Sequence, residues 1–220
     1  NDSVVVRIRN VSPSSFECRL QETSNLDGSH PNETISYIVG EEGTWNIENN
    51  MVEFGKISTN KMILRGFVRV TYSTPYSSIP SIFTQVQTFN DSSFVGTRTK
   101  SLTNSSFLVG LEEEERYNRG THGTESIGWM SIQQGILDSD GTKIETKIVG
   151  NVTHQNKTIQ YSSTFSSEPL LLTKLVSHKG RDSANTRIVS NSSTQFTVKI
   201  REDTSKDRET RHIKENISYL

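Results

Sequence analysis

The stretch "TQFTVKIRE", residues 194–202, places Phe196, Val198 and Ile200 at alternate positions, with Thr197, Lys199 and Arg201 between them. Successive side chains of a strand point to opposite faces, so this is the pattern of a strand with one face buried. The stretch has two counterparts, "SSFLVGLEE" at 105–113 and "SSFECRLQE" at 14–22. Phe16, Phe107 and Phe196 are 91 and 89 residues apart. Nine residues before each stands an arginine (Arg7, Arg98, Arg187), and six after each a glutamate (Glu22, Glu113, Glu202). A third block follows in each copy: "HPNETISYIV" (30–39), "HGTESIGWMS" (122–131) and "HIKENISYL" (212–220). All three keep His-x-x-Glu-x-Ile-x-aromatic, through His30/Glu33, His122/Glu125 and His212/Glu215.

Repetition at a fixed period implies repeated structural units. "VTYSTPYSSIPSIFTQVQT" (70–88) matches "IQYSSTFSSEPLLLTKLVS" (159–177), with Pro80 and Pro169 89 residues apart. The chain therefore divides into two full units, 42–134 and 135–220, after a half unit, 1–41, that carries the second half of the pattern alone. Short alternating runs punctuated by Gly, Asn, Ser and Pro predict an all-β chain of tandem antiparallel β-sandwich units, with about six strands in each ninety-residue unit. The half unit is expected to hold the last three of those strands, completed by another segment or chain. Parity places Phe16, Cys18, Leu20, Glu33, Ile35 and Tyr37 on the inward face, and so predicts that Cys18 is a small buried hydrophobe. Trp45 and Trp129 are read as core residues.

Composition restricts function. The 220 residues carry a net charge of -1, which gives no electrostatic case for nucleic acid. No apolar run approaches the ~18 residues that span a membrane. No signal peptide is visible at Asn1, so a leader is expected to have been removed or to lie outside the sequence. One cysteine excludes an internal disulfide. Nine of 16 asparagines open an Asn-x-Ser/Thr sequon: Asn1, Asn10, Asn32, Asn90, Asn104, Asn151, Asn156, Asn191 and Asn216. That excess points to N-glycosylation and to a secreted eukaryotic protein. Asn10, Asn104 and Asn191 fall in the same short connection of each copy, where a hairpin loop would expose a glycan.

The repeated polar residues form the candidate site. Glu22 and Glu33 lie at the two ends of one loop and should meet at the rim of the core, as should Glu113 with Glu125 and Glu202 with Glu215. Two partly buried carboxylates repel unless a positive group joins them. Arg7 and His30, Arg98 and His122, and Arg187 and His212 can supply it. Three readings stay open: a structural rim network in which Arg pairs with Glu, a calcium ion held by the Glu/Glu/His rim with Asp27 available in the first copy, and a glycan pocket. No cofactor is otherwise expected. Three near-copies argue against a unique active site, and no HExxH, GxSxG or P-loop occurs, so no enzyme is expected. "LEEEER" (111–116) and "KIREDTSKDRETRHIK" (199–214) read as solvated faces, or as a head-to-tail electrostatic contact between units.

The run "FSSEPLLLTKLVSHKGRDSANTRIVSNSSTQFTVKI" (165–200), with the strand after it, resembles the H-type lectin module. The matching residues are Pro169, Arg187, Phe196, Val198 and Tyr219, and in the other full unit Pro80, Arg98, Phe107, Val109 and Trp129. The resemblance implies a six-stranded antiparallel sandwich, often trimeric, binding N-acetylgalactosamine-type sugars between subunits. His-x-x-Glu stands where that family has its aromatic and acidic sugar-contact stretch. The expected function is an extracellular, N-glycosylated structural protein. It would be a self-assembling subunit of a filament, sheath or surface layer, built by strand complementation or head-to-tail packing. Its partners would be copies of itself or neighbouring repeats. The alternative is an H-type-lectin-like module for carbohydrate binding and adhesion, with glycans as partners.

Overall fold

The computed structural model describes residues 3–139 and 141–220, residue 139 by its backbone alone. The described chain is all-β: sixteen strands in five antiparallel sheets. β1 (Val4–Arg9) and β2 (Glu17–Glu22) form a sheet of two. Seven strands follow: β3 (Gly43–Ile47), β4 (Asn50–Thr59), β5 (Val68–Thr71), β6 (Ser81–Val86), β7 (Val95–Lys100), β8 (Ser106–Glu113) and β9 (Glu125–Ile132). They make one sheet ordered β3-β4-β9-β6 and one ordered β5-β8-β7. The next seven are β10 (Gly135–Ser139), β11 (Thr142–Val152), β12 (Lys157–Gln160), β13 (Thr173–Leu175), β14 (Ala184–Asn191), β15 (Gln195–Glu202) and β16 (Glu215–Tyr219). They repeat the order as β10-β11-β16-β13 and β12-β15-β14.

Each ninety-residue stretch thus holds seven strands rather than the expected six. The one extra strand is the edge strand, β3 or β10, which forms a hairpin with β4 or β11. Glu48 and Asn49 turn the first of these hairpins with φ of 48° and 63°, the left-handed pair that a tight two-residue hairpin requires.

Alternation delivers the inward residues. Phe107, Val109 and Leu111 of β8 are wholly buried, and so are Phe196 and Val198 of β15, with Ile200 1% exposed. In the first stretch they meet Tyr72, Ile82, Val86, Ile127 and Trp129 in one core, which also takes in Val176 from the second. The second core repeats it with Tyr161, Leu175, Ile217 and Tyr219. Even the ring contacts recur: Phe107 meets Trp129 edge-on at 5.8 Å, and Phe196 meets Tyr219 at 5.0 Å. Trp129 is core as expected. Trp45 is not: it lies on the edge strand β3, 45% exposed.

The first copy departs from this plan. β1 and β2 keep the register of their counterparts, with Val4 opposite Glu22 as Val95 is opposite Glu113 and Ala184 is opposite Glu202. The third expected strand is missing, and residues 30–41 run without strand pairing. Tyr37 is 60% exposed and Val39 74%. Cys18 is exposed too, against the expected burial. The cause is the same for all three. The counterparts of this strand, β9 and β16, lie between two partners (β4 and β6, β11 and β13), and the sheet they form covers the inward face of β8 and β15. The described residues hold no such partners for the first copy. A strand without neighbours leaves its N–H and C=O groups unpaired, so the backbone stays irregular.

The three arginine-bearing strands converge. A Cβ placed on Gly96 of β7 would lie 3.7 Å from Val5 of β1 and 3.9 Å from Asn185 of β14. These three residues are equivalent, each standing two before its arginine. The copies are therefore grouped around a common pseudo-threefold axis and are not strung out in a line.

Candidate functional site

In every copy the histidine joins the two glutamates. His30 Nδ1 lies 2.8 Å from Glu22 and Nε2 3.3 Å from Glu33. His122 makes the same pair with Glu113 (2.5 Å) and Glu125 (3.3 Å), and His212 with Glu202 (2.6 Å) and Glu215 (3.4 Å). The side chains of His122 and His212 are fully buried. A ring that faces a carboxylate at both nitrogens donates to both when it is a cation. Burial opposes charge on His122, but the bond to Glu113, the charges of Asp91 and Glu113 and the bond to Glu125 outweigh it and hold its pKa above the usual histidine value.

The arginine does not pair with the two rim glutamates of its own copy, the pairing expected from the sequence, but reaches a rim glutamate of the next. Arg7 Nη2 lies 3.3 Å from Glu125, and Arg98 Nη1 3.7 Å from Glu215. Arg187 pairs with Glu33 of the first copy. Three contacts, first to second, second to third and third to first, close a ring. Each site gathers two rim carboxylates, one imidazole and one guanidinium, and the imidazole nitrogens face one oxygen of each carboxylate, where a calcium ion would have to bind. Among the described residues no group of three or more His, Cys, Asp or Glu is arranged to hold a metal. Asp27 instead accepts a 2.8 Å hydrogen bond from the backbone N–H of Ser29. A glycan pocket built on Arg98, His122 or His212 is likewise unavailable to solvent, since these side chains are 0% exposed.

Several partners escaped the sequence reading. The hydroxyls of Thr88 and Ser177 donate to Glu125 and Glu215. Asn90 and Asp91 add backbone N–H donors to Glu125 at 3.2 Å, as Lys179 and Gly180 do to Glu215 at 2.7 and 2.9 Å. The equivalence of Thr88 and Ser177, 89 residues apart in the matched blocks, was the available signal. Glu112, within the acidic run, binds Arg98 bidentately at 2.6 and 3.1 Å, and burial pushes its pKa up. The run "LEEEER" is thus not a solvated face: Glu112, Glu113 and Glu114 are all buried. It lies at the contact between copies. Glu114 accepts the N–H of Ser24 at 2.6 Å, the Glu115 N–H donates to Asp203 at 2.7 Å, and Lys206 pairs with Glu115 at 2.7 Å. Asn25 donates to the Thr204 carbonyl at 3.2 Å, across the third junction.

The sequons fall mostly on the surface. Asn10, Asn32, Asn90, Asn104, Asn151 and Asn156 are exposed, Asn216 is half-buried within β16, and Asn1 lies outside the described residues. The Asn191 side chain is engaged: its amide donates to the Pro169 carbonyl at 2.8 Å and its oxygen accepts from Tyr161 at 2.6 Å.

The network makes stability depend on pH. Burial alone would raise the Glu215 pKa. The bonds from His212, Ser177, Gly180 and Lys179 overcome that and lower it from 4.5 to about 2. A carboxylate whose folded pKa is depressed stabilises the fold in full above its unfolded value and loses that contribution as pH falls through the folded one. The stability advantage of the native chain over Glu215→Gln should therefore shrink as pH falls from about 4.5 to about 2. Glu112 and Glu202, pushed up by burial, titrate in the opposite sense, so the difference between the two urea midpoints is the quantity to follow. A constant difference across that window would show that Glu215 is not held ionised by the fold.

No family model matches the chain, and no solved structure matches it. The chain is 32% identical over 222 residues to halomucin of Haloquadratum walsbyi. That match takes in 97% of this chain and 2% of the relative's length. No helix among the described residues is long and apolar enough to cross a membrane.

Proposed function

We propose that the chain is an extracellular, N-glycosylated structural protein without catalytic activity, part of a surface layer, sheath or filament. The ring of Arg→Glu contacts carries this reading. Two of its three contacts bury charged side chains between repeat copies, and so leave Arg7, Arg98, Glu125 and Glu215 inaccessible to a substrate. The relative's name, a mucin's, points to an extracellular protein, and its match to so small a part of a long chain fits a repeated building element. Exposed sequons suit a glycosylated surface. The head-to-tail packing expected between units is used inside the chain, where the rotation between copies closes it. Electron micrographs of the native material should show an ordered layer or fibre. Dispersed soluble particles would overturn the reading.

A second reading is the H-type-lectin-like binding module. The grouping of three copies around one axis favours it, as does an open cleft between the second and third copies lined by Lys100, His178 and Asn216. A glycan array probed with the folded chain separates the two, since the structural reading expects no specific binding.

A further inference from the structure

The first copy presents a bare face where the other two are covered. Cys18 is exposed, whereas its equivalents Val109 and Val198 are wholly buried. Tyr37 is 60% exposed, against 9% for Trp129 and 1% for Tyr219. Ile38 is 42% exposed, against 7% for Met130. The segment is nonetheless in position. Phe16 and Tyr37 meet edge-on at 5.2 Å, as Phe107 and Trp129 do in the second copy, and Glu33 is tied to Arg187 of the third.

We propose that this face is the docking site for a further strand series of the type found at 43–86, supplied from the same polypeptide ahead of β1. It would add the counterparts of β4 and β6 on either side of residues 33–39, turn that segment into a central strand and complete a third sheet around the axis. The inference rests on the structural reading above and names the partner of its unfinished copy.

Four observations choose this occupant. The second and third copies show what covers the equivalent residues: the sheets β3-β4-β9-β6 and β10-β11-β16-β13. Val4, which begins β1, is equivalent to Val95, which begins β7 and receives the chain from β6. A series joined there needs only the connection that already links β6 to β7, and tethering at that distance gives a high effective concentration. The relative carries its matched stretch within a far longer chain. A second copy of this chain could offer β3–β6 only by stripping its own core of Ile82 and Val86, both wholly buried.

Cys18 is the probe, being the one cysteine of the chain. The 220-residue protein should react readily with a maleimide under native conditions. The same protein extended at its N-terminus by a duplicate of residues 43–91, which contains no cysteine, should react at least ~100-fold more slowly, in line with burial at the level of Val109. Placing I82D and V86D in the duplicate alone should restore the fast rate, because those positions would face the new core. Fast labelling of an extended chain whose circular dichroism and urea midpoint show intact β structure would overturn the proposal. So would protection in the unextended chain that grows with protein concentration, which would make a second copy the occupant. The labelling is read on dispersed protein, so it can fail while the native material still proves to be a layer, and the reverse.

Discussion

Arg98→Ala is expected to lower the free energy of unfolding by about 3–5 kcal/mol, the cost of leaving buried charges without their partner. The Arg98 side chain is 0% exposed and Glu112 2%, so neither group has water to fall back on. Removing the guanidinium strands Glu112, which loses both bonds, and deprives Glu215 of its ion pair. It also frees the Ala184 carbonyl on the neighbouring strand of the third copy. For a chain of this length the loss corresponds to a fall in Tm on the order of 10 °C. Arg187→Ala is the internal comparison. It removes the equivalent link, to Glu33, but at a site where both side chains are about a third exposed, and it should cost no more than about 1 kcal/mol. Urea denaturation of the two variants reads the contrast. Equal losses would mean that burial of the network, rather than its mere presence, is not what locks the copies.

Phe107→Ala is expected to cost about 3–5 kcal/mol, and Phe16→Ala less than about 1.5 kcal/mol, although the two residues are equivalent in sequence. Phe107 is wholly buried among Tyr72 at 5.9 Å and Trp129 at 5.8 Å, so truncation leaves a cavity that rigid sheets on both sides cannot close. Phe16 is half-buried and has the partly exposed Tyr37 for a ring partner. Truncation there removes little area from a face already open to water. A loss at Phe16 as large as at Phe107 would show that the face is covered in solution.

The histidine bridge was the most legible part of the site. Glu at the end of one strand, Glu at the start of the next and His in the loop between them are fixed by local spacing, and the three side chains meet in all copies. The arginine was legible as a member but not in its address. Arg7 stands opposite Arg19, on the face of its sheet turned away from Cys18 and Leu20, and nothing along the chain says that the carboxylate within reach belongs to residue 125, 118 positions away. The buried acidic run was misread for a similar reason. Charge composition favours solvent for "LEEEER", and only the approach of Ser24 and Arg98 supplies the donors that make the burial of Glu114 and Glu112 tolerable.

By itself, the sequence determined the all-β class, the alternation of the Phe-bearing strands, the ninety-residue period and the kinds of residue at each rim, because these follow from steric preferences and spacing along a few residues. The tertiary structure decided what lies opposite each strand. Cys18, Val109 and Val198 have the same parity, yet one is exposed and two are buried. Parity assigns a side chain to a face; burial depends on whether another sheet covers that face. The closing of three copies around Val5, Gly96 and Asn185 is of the same kind. It depends on the rotation between one copy and the next, which is set by contacts between residues about ninety or more positions apart.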